Sequence, residues 1–257
     1  MENQNIVGVI PAAGNALRLS PIPCSKEIFP IGFEKSGQST TIKVAVSDLL
    51  EGMEEAGARQ LYMILRKGKW DIPAYLGTGL SARYTLSYII TDPTPGTHYS
   101  IDSAYHFMKD KTVLLGFPDI LFNPKHVFAD LLKRQRQSGA DVVLGLFKTD
   151  NPAKADMVEL DDSGQVTEIV IKPESTPLHY CWAMAVWSPA FTEYLHDFIS
   201  DLTNKAFHPS RPEIFIGNLM QHAMKDGLVI EGVRFPDGHF TDIGTLADLK
   251  RAWNHKR

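Results

Sequence analysis

Short apolar blocks alternate with amphipathic stretches along most of this chain, and turn residues mark most of the junctions. Val7–Pro11 is a nearly continuous apolar run of the kind buried on both faces of a parallel sheet, and it predicts the first strand. Thr41–Ala56 has apolar residues at helical spacing and stops at Gly57, which predicts a helix. Gln60–Leu65 reads as a second strand, and Tyr84–Ile90 alternates as a third. Ser100–Met108 reads as helical. Thr112–Leu115 is a further short strand that runs into Gly116-Phe117-Pro118-Asp119. Pro124–Ser138 is an amphipathic helix whose basic face (Lys133, Arg134, Arg136) reads as merely solvated, and Ala140–Leu146 is the next strand. Strands alternating with helices through short connections argue for a doubly wound α/β fold with a mostly parallel sheet.

From about residue 155 the texture changes. Met157–Leu160 and Val166–Ile171 predict a hairpin with Asp162-Ser163-Gly164 at its tip. Trp182–Trp187 and Val229–Phe235 predict strands, and Phe191–Leu202, Glu213–Lys225 and Leu246–Asn254 predict helices. No repeat, low-complexity stretch or linker interrupts the chain. The second half is therefore expected to extend the same sheet, giving one domain with halves at 1–150 and 151–257.

The 257 residues suffice for a sizeable core. The net charge of −4 argues against a dedicated nucleic-acid or anionic-membrane binder, so any phosphate site must be a local cationic patch. Cys24 and Cys181 have no metal-type or redox-type spacing and fit a reducing compartment. The N-terminus lacks a basic region and a long apolar run, and no stretch approaches a membrane span, so a cytoplasmic protein is expected.

Candidate chemistry starts with Gly8–Pro30. The first strand ends in a small-residue loop, Ala12-Ala13-Gly14-Asn15-Ala16, followed by Arg18 and Lys26. Backbone N–H groups in such a loop, with two cations after it, suit a polyphosphate, although an ordinary strand–turn–helix opening has the same outline. Asp119 follows an apolar strand, where open α/β sheets bind ligands, and a carboxylate there suits a hard cation such as Mg²⁺. Standing alone it reads as a turn-capping residue. Asp242 in Phe240-Thr241-Asp242-Ile243-Gly244-Thr245 could likewise be an N-cap, though Thr245 is better placed for that. Together the two carboxylates and the upstream loop make a metal–polyphosphate site the economical account. Lys172 precedes Pro173 at a strand end, which fixes its direction, while a surface lysine is the default. Pro95-Gly96-Thr97 is a tight turn before a helix. No Walker loop, full dinucleotide fingerprint, nucleophile elbow or zincin motif occurs, and His98, His106 and His239 read as structural or surface residues.

In this order the segments resemble the sugar-1-phosphate nucleotidyltransferases, which include glucose-1-phosphate thymidylyl- and uridylyltransferases. Ala13-Gly14-Asn15-Ala16-Leu17-Arg18-Leu19 is similar to the family's G-G-x-G-T-R-L loop, and Lys26-Glu27-Ile28-Phe29-Pro30 to its K-x-x-L/F-P. Pro95-Gly96-Thr97 resembles its P-x-G-T turn, and Leu115–Phe122 its L-G-D-x-I/L-F segment. Ile171-Lys172-Pro173 resembles its E-K-P, and Phe240–Thr245 its W-x-D-x-G-T. The resemblance spans nearly the whole chain. It implies a Rossmann-like nucleotidyltransferase fold: a mixed, mostly parallel sheet flanked by helices, with a small hairpin-containing sugar-binding extension and no C-terminal β-helix. It further implies an Mg²⁺-dependent condensation of a nucleoside triphosphate, dTTP or UTP first, with a sugar-1-phosphate, releasing pyrophosphate. Arg18 and Lys26 would be catalytic. Ala13, Gly14, Asn15, Thr91 and Gly96 would contact the nucleotide, Lys172 and Asp156 the sugar phosphate, and Asp119 and Asp242 the metal. The partners are then these two substrates, with no nucleic acid or membrane, and a homo-oligomer is compatible.

Some positions depart from the family pattern. Ala16 stands for the loop's third glycine and Leu17 for its threonine. Thr91 stands for the base-reading glutamine, Ile171 for a sugar-binding glutamate, and Asp156 for the glycine of Y-G-V-V-E. A catalytically silent nucleotide or sugar-phosphate binder of the same fold is therefore the alternative. A nicotinamide oxidoreductase would leave the Asp119–Asp242 pair without a purpose.

Overall fold

Alternate residues of β1 (Ile6–Pro11) face opposite core layers, Ile6 and Ile10 one way, Val7 and Val9 the other. The computed structural model describes residues 5–14, 17–19, 21–36, 39–204 and 214–254. After β1 come a ribbon of β2 (Pro30–Ser36) and β3 (Ser39–Val44), the helix α1 (Ser47–Glu55), β4 (Gln60–Arg66), α2 (Asp71–Leu76) and β5 (Thr85–Thr91). Two short helices, α3 (Thr97–Asp102) and α4 (Tyr105–Met108), lead to β6 (Thr112–Gly116), β7 (Ile120–Asn123), α5 (Val127–Ser138) and β8 (Val142–Lys148). The hairpin of β9 (Met157–Leu160) and β10 (Val166–Val170) is followed by β11 (Tyr180–Trp187), α6 (Pro189–Asn204) and α7 (Ile216–Lys225). Last come β12 (Ile230–Phe235), β13 (His239–Asp242) and α8 (Leu246–Asn254).

β1 lies between β4 and β6, parallel to both, and β5 continues the sheet beyond β4. The chain thus moves outward on one side of β1 and returns to begin again on the other. The switch point between β1 and β6 is where an open α/β sheet leaves a crevice at its carboxyl edge. β11 is antiparallel and splits the sheet: Met184–Trp187 pair with β6, while Cys181 pairs with Met157 of β9. Its other edge pairs with β8, which is parallel to β12. The second half therefore adds strands to the same mixed sheet.

Helices cover both faces. Leu49 and Met53 of α1 and Phe128 and Leu131 of α5 pack on one, and Ile101, Phe191, Leu195 and Leu219 on the other. Gly8 and Gly116 permit this closeness, because a Cβ would stand 2.6 Å from Met53 Sδ at Gly8 and 2.2 Å from Leu49 Cδ1 at Gly116. A third, smaller core joins Leu19, Ile31, Ala45, Leu121, Ile243, Leu249 and Ala252.

The structure corrects several local readings. Thr41–Ala56 is a strand followed by a shorter helix. Ile42 pairs with Phe33 across the ribbon, and over so few residues the strand and helix periods coincide. Gly57 does end the helix, at φ 99°. Ser100–Met108 is broken near Ser103 into α3 and α4, and α5 starts at Val127 rather than Pro124. Arg134 is not merely solvated: its guanidinium donates to Glu231 and to the carbonyl of Ser163, both at 2.7 Å, tying α5 to β12 and the hairpin tip. Glu213, expected to open α7, lies outside the described residues, as do Asn15 and Ala16.

Candidate active site

Two carboxylates far apart in sequence meet because the ribbon of β7 and β13 brings them together. Asp119 immediately precedes β7, Asp242 ends β13 opposite Ile120, and the Ile243 N–H donates to the Asp119 carbonyl at 2.8 Å. The small third core anchors these loops from below, since Leu19, Leu121 and Ile243 lie within two residues of Arg18, Asp119 and Asp242. Lys26, on a single helical turn over Lys26–Ile28, forms an ion pair with Asp119. Arg18 approaches from the turn Leu17–Leu19. A Cβ at Gly244 would stand 3.3 Å from Arg18 Nη2 and from both Asp242 carboxylate oxygens, so Gly244 keeps that approach open.

The electrostatics match this crowding. Burial, reinforced by the Asp119 charge, raises Asp242 from 3.8 to about 6, against the pull of Lys26 and Arg18. Among the described residues its buried Oδ1 has no hydrogen-bond partner. Burial works to lower Lys26, but Asp119, Glu27 and Asp242 outweigh it and hold the ammonium above its ordinary value. A buried carboxylate with an unused oxygen beside a second carboxylate is a donor set that suits a hard divalent cation. Among the described residues no group of three or more His, Cys, Asp or Glu could hold a metal alone. Asp119 and Asp242 could supply two oxygens to such a cation.

Beside this cluster a cleft of about 1140 Å³ opens where β6 and β9 part along β11. Asp242, Asp156, Lys172, Trp182 and Phe117 are among its lining residues. Asp156 is buried, which raises its carboxyl against the charge of nearby Lys172. Gly217 leaves it room, because a Cβ there would fall 2.6 Å from Asp156 Oδ2. Lys172 has φ 40°, a strained value for a side-chain-bearing residue, and its ammonium stands 3.5 Å from the centre of the Phe215 ring.

The structure thus brings Arg18, Lys26, Asp119 and Asp242 to one point and sets Asp156 and Lys172 in the adjoining cleft. Ala13 and Gly14 follow β1 after Ala12, and among the described residues nothing stands within 4 Å of where a Gly14 Cβ would be. Thr91 ends β5, with β4 between it and β1, and Gly96 caps the start of α3. The Thr91 hydroxyl donates to the Asp92 carbonyl at 3.1 Å, and the His98 ring fills the space next to Gly96. Sequence reasoning missed Gly217, Gly244 and Trp182. It also missed a support beneath Lys26, where Lys69 bonds Glu27 at 2.5 Å and Asp71 bonds Ser25. The Lys69 segment sits at the end of β4, a position that by itself could have flagged it.

A switch-point crevice holding two cations and two carboxylates defines an α/β protein equipped to handle phosphoryl groups. The chain belongs to the nucleotidyl transferase family, whose model matches residues 7–257. It is 27% identical over 250 residues to the low-salt glycan biosynthesis nucleotidyltransferase Agl11 of Haloferax volcanii, covering 95% of this chain and 64% of that protein's length. Solved structures share the fold, two of them as follows. A Bacillus anthracis protein assigned as a glucose-1-phosphate thymidylyltransferase, in complex with sucrose, superposes with a TM-score of 0.81 at 18% identity, covering 98% of this chain and 95% of the other. The UTP-bound UGPase of Acinetobacter baumannii gives 0.79 at 15% identity, covering 98% and 93%. Among the described residues no helix is long and apolar enough to cross a membrane.

Proposed function

We propose that this protein is a sugar-1-phosphate nucleotidylyltransferase that uses Mg²⁺ and condenses a nucleoside triphosphate, dTTP or UTP first, with a sugar-1-phosphate. The convergence of Arg18, Lys26, Asp119 and Asp242 beside a large cleft containing Lys172 carries this reading. The names of its relatives support it: Agl11 is a nucleotidyltransferase of glycan biosynthesis, and the Acinetobacter protein binds UTP.

In the proposed reaction a phosphate oxygen of the sugar-1-phosphate attacks the α-phosphorus. The bond from that phosphorus to the α–β bridging oxygen breaks, and pyrophosphate leaves with the electron pair. No proton need move, so positioning and charge neutralisation carry the catalysis. The loop at Ala13, Gly14 and Asn15 would receive the triphosphate, with Thr91 and Gly96 toward the base. Arg18 would hold the departing β- and γ-phosphates, and Lys26 would leave Asp119 to meet charge growing on the transferring phosphoryl group. Asp119 and Asp242 would hold Mg²⁺, which when bound neutralises charge on the α-phosphate. Lys172 would grip the sugar phosphate while Asp156 faces the sugar.

The test is pyrophosphate release with each of the common nucleoside triphosphates against a panel of sugar-1-phosphates, with Mg²⁺. Release with at least one pair, lost in Asp119→Asn, is expected. Triphosphate binding without release from any pair at high enzyme concentration would instead identify a silent binder.

A further inference from the structure

The turn bearing Lys26 rests on a clamp that the chemistry above does not use. The Lys69 ammonium reaches under the end of β1 and donates to the Ala12 carbonyl at 2.7 Å and to Glu27 Oε1 at 2.5 Å. Lys69 and Glu27 are almost wholly enclosed, with side chains 5% and 1% exposed. Two residues on, the Asp71 carboxylate accepts from the Ser25 N–H at 2.6 Å and from the Ser25 hydroxyl at 2.8 Å. Ser25 and Glu27 flank Lys26, so both its neighbours are bound to one short stretch after β4. The same ammonium also fixes Ala12, which leads into Ala13 and Gly14.

A buried ion pair adds little stability over apolar packing of the same volume, because both charges give up water. What it does supply is direction. An ammonium bonded to the phosphate-loop carbonyl and to the residue after Lys26 sets the distance between the loop and that lysine. The turn has other supports, since the Val46 N–H donates to the Glu27 carbonyl at 3.0 Å and the Ala45 N–H to the Phe29 carbonyl at 3.0 Å. Loss of the clamp would thus shift Lys26 without dismantling its turn.

We propose that Lys69 and Asp71 are positioning residues for Lys26, holding its ammonium in register with the Gly14 loop. The catalytic consequence rests on the role given to Lys26 above. The placement does not, and the two are read separately.

Two variants test it: Asp71→Asn, and the double variant Lys69→Met with Glu27→Gln, which leaves no buried charge unpaired. Placement is read without turnover, as the acetylation rate of Lys26 by an N-hydroxysuccinimide acetate, followed by mass spectrometry with exposed Lys133 as internal standard. A rise of at least threefold at Lys26 with Lys133 unchanged is expected, and an unchanged Lys26 rate in both variants overturns the proposal. Catalysis is read as pyrophosphate release. A kcat at least tenfold lower, with triphosphate KM within about threefold and an unchanged melting temperature, is expected. If kcat is unchanged, or falls only in step with the folded fraction, the positioning role is wrong. Wild-type protein that releases no pyrophosphate while the Lys26 labelling still rises would sink the proposed reaction and leave the clamp standing.

Discussion

Asp242 should destabilise the ligand-free protein at neutral pH, and Asp242→Asn isolates the effect. Burial and the neighbouring Asp119 charge lift its carboxyl from 3.8 to about 6. At 1.36 kcal/mol per pH unit, that corresponds to a ceiling of about 3 kcal/mol against the ionised folded state. The side chain is not wholly enclosed, so solvent screening brings the expected figure to about 1–2 kcal/mol. The sign follows from the proton count. Between pH 3.8 and about 6 the folded protein keeps a proton that the unfolded chain has released, so this group removes stability as pH rises through that window and restores it as pH falls. Melting temperatures of both proteins, taken from pH 4 to 8 without nucleotide or Mg²⁺, should differ by roughly 2–8 °C in favour of the Asn variant at pH 7. The gap should close near pH 4. Pyrophosphate release should meanwhile fall by about a hundredfold or more in the more stable variant. An equal gap at pH 4 and pH 7, or an Asn variant less stable at pH 7, would refute the argument.

Other consequences follow from the same structure. His98 is buried with neither ring nitrogen bonded among the described residues, and burial lowers it from 6.5 to about 4. It should cost the wild type up to about 3 kcal/mol as pH falls from 6.5 to 4. As pH falls, the wild-type melting temperature should therefore decline relative to that of His98→Leu. Opposed by Asp242 over that range, it should leave the wild-type profile flatter than that of either variant. Gly116→Ala drives a Cβ to 2.2 Å from Leu49 Cδ1 and should lose about 1–3 kcal/mol in denaturant titration. Lys172→Gly relieves the φ of 40° that Lys172→Ala retains. The Gly variant should be the more stable by roughly 1 kcal/mol, while both lose affinity for the sugar phosphate.

Much of the fold was legible in the chain because its strands are buried and therefore uniformly apolar. Val7–Pro11, Gln60–Leu65 and Thr112–Leu115 each came out within a residue or so of the observed β1, β4 and β6. Asp119 and Asp242 could be flagged because each lies next to a glycine-containing loop at a strand or helix boundary. Thr41–Val44 carries a helix-like pattern yet forms a strand, because a strand in a ribbon takes its identity from its partner, here Pro30–Ser36. Lys69 and Arg134 were invisible for a related reason. A lysine or arginine defaults to solvent, and only the carbonyl and carboxylate that meet it in the fold make it structural.

The sequence by itself determined that the chain is an alternating α/β protein with small-residue loops, isolated cations and isolated carboxylates at strand ends. Local physics sufficed there, because periodicity, turn residues and charge are properties of neighbours in the chain. The tertiary structure decided that Asp119 and Asp242 share one site, through the β7–β13 ribbon, and that the cleft beside them opens where β11 exchanges β6 for β9. It also decided that a buried lysine locks the loop after β1 to the Lys26 turn. Each of these depends on strand register and burial between residues tens to more than a hundred positions apart, and no window along the sequence contains both partners.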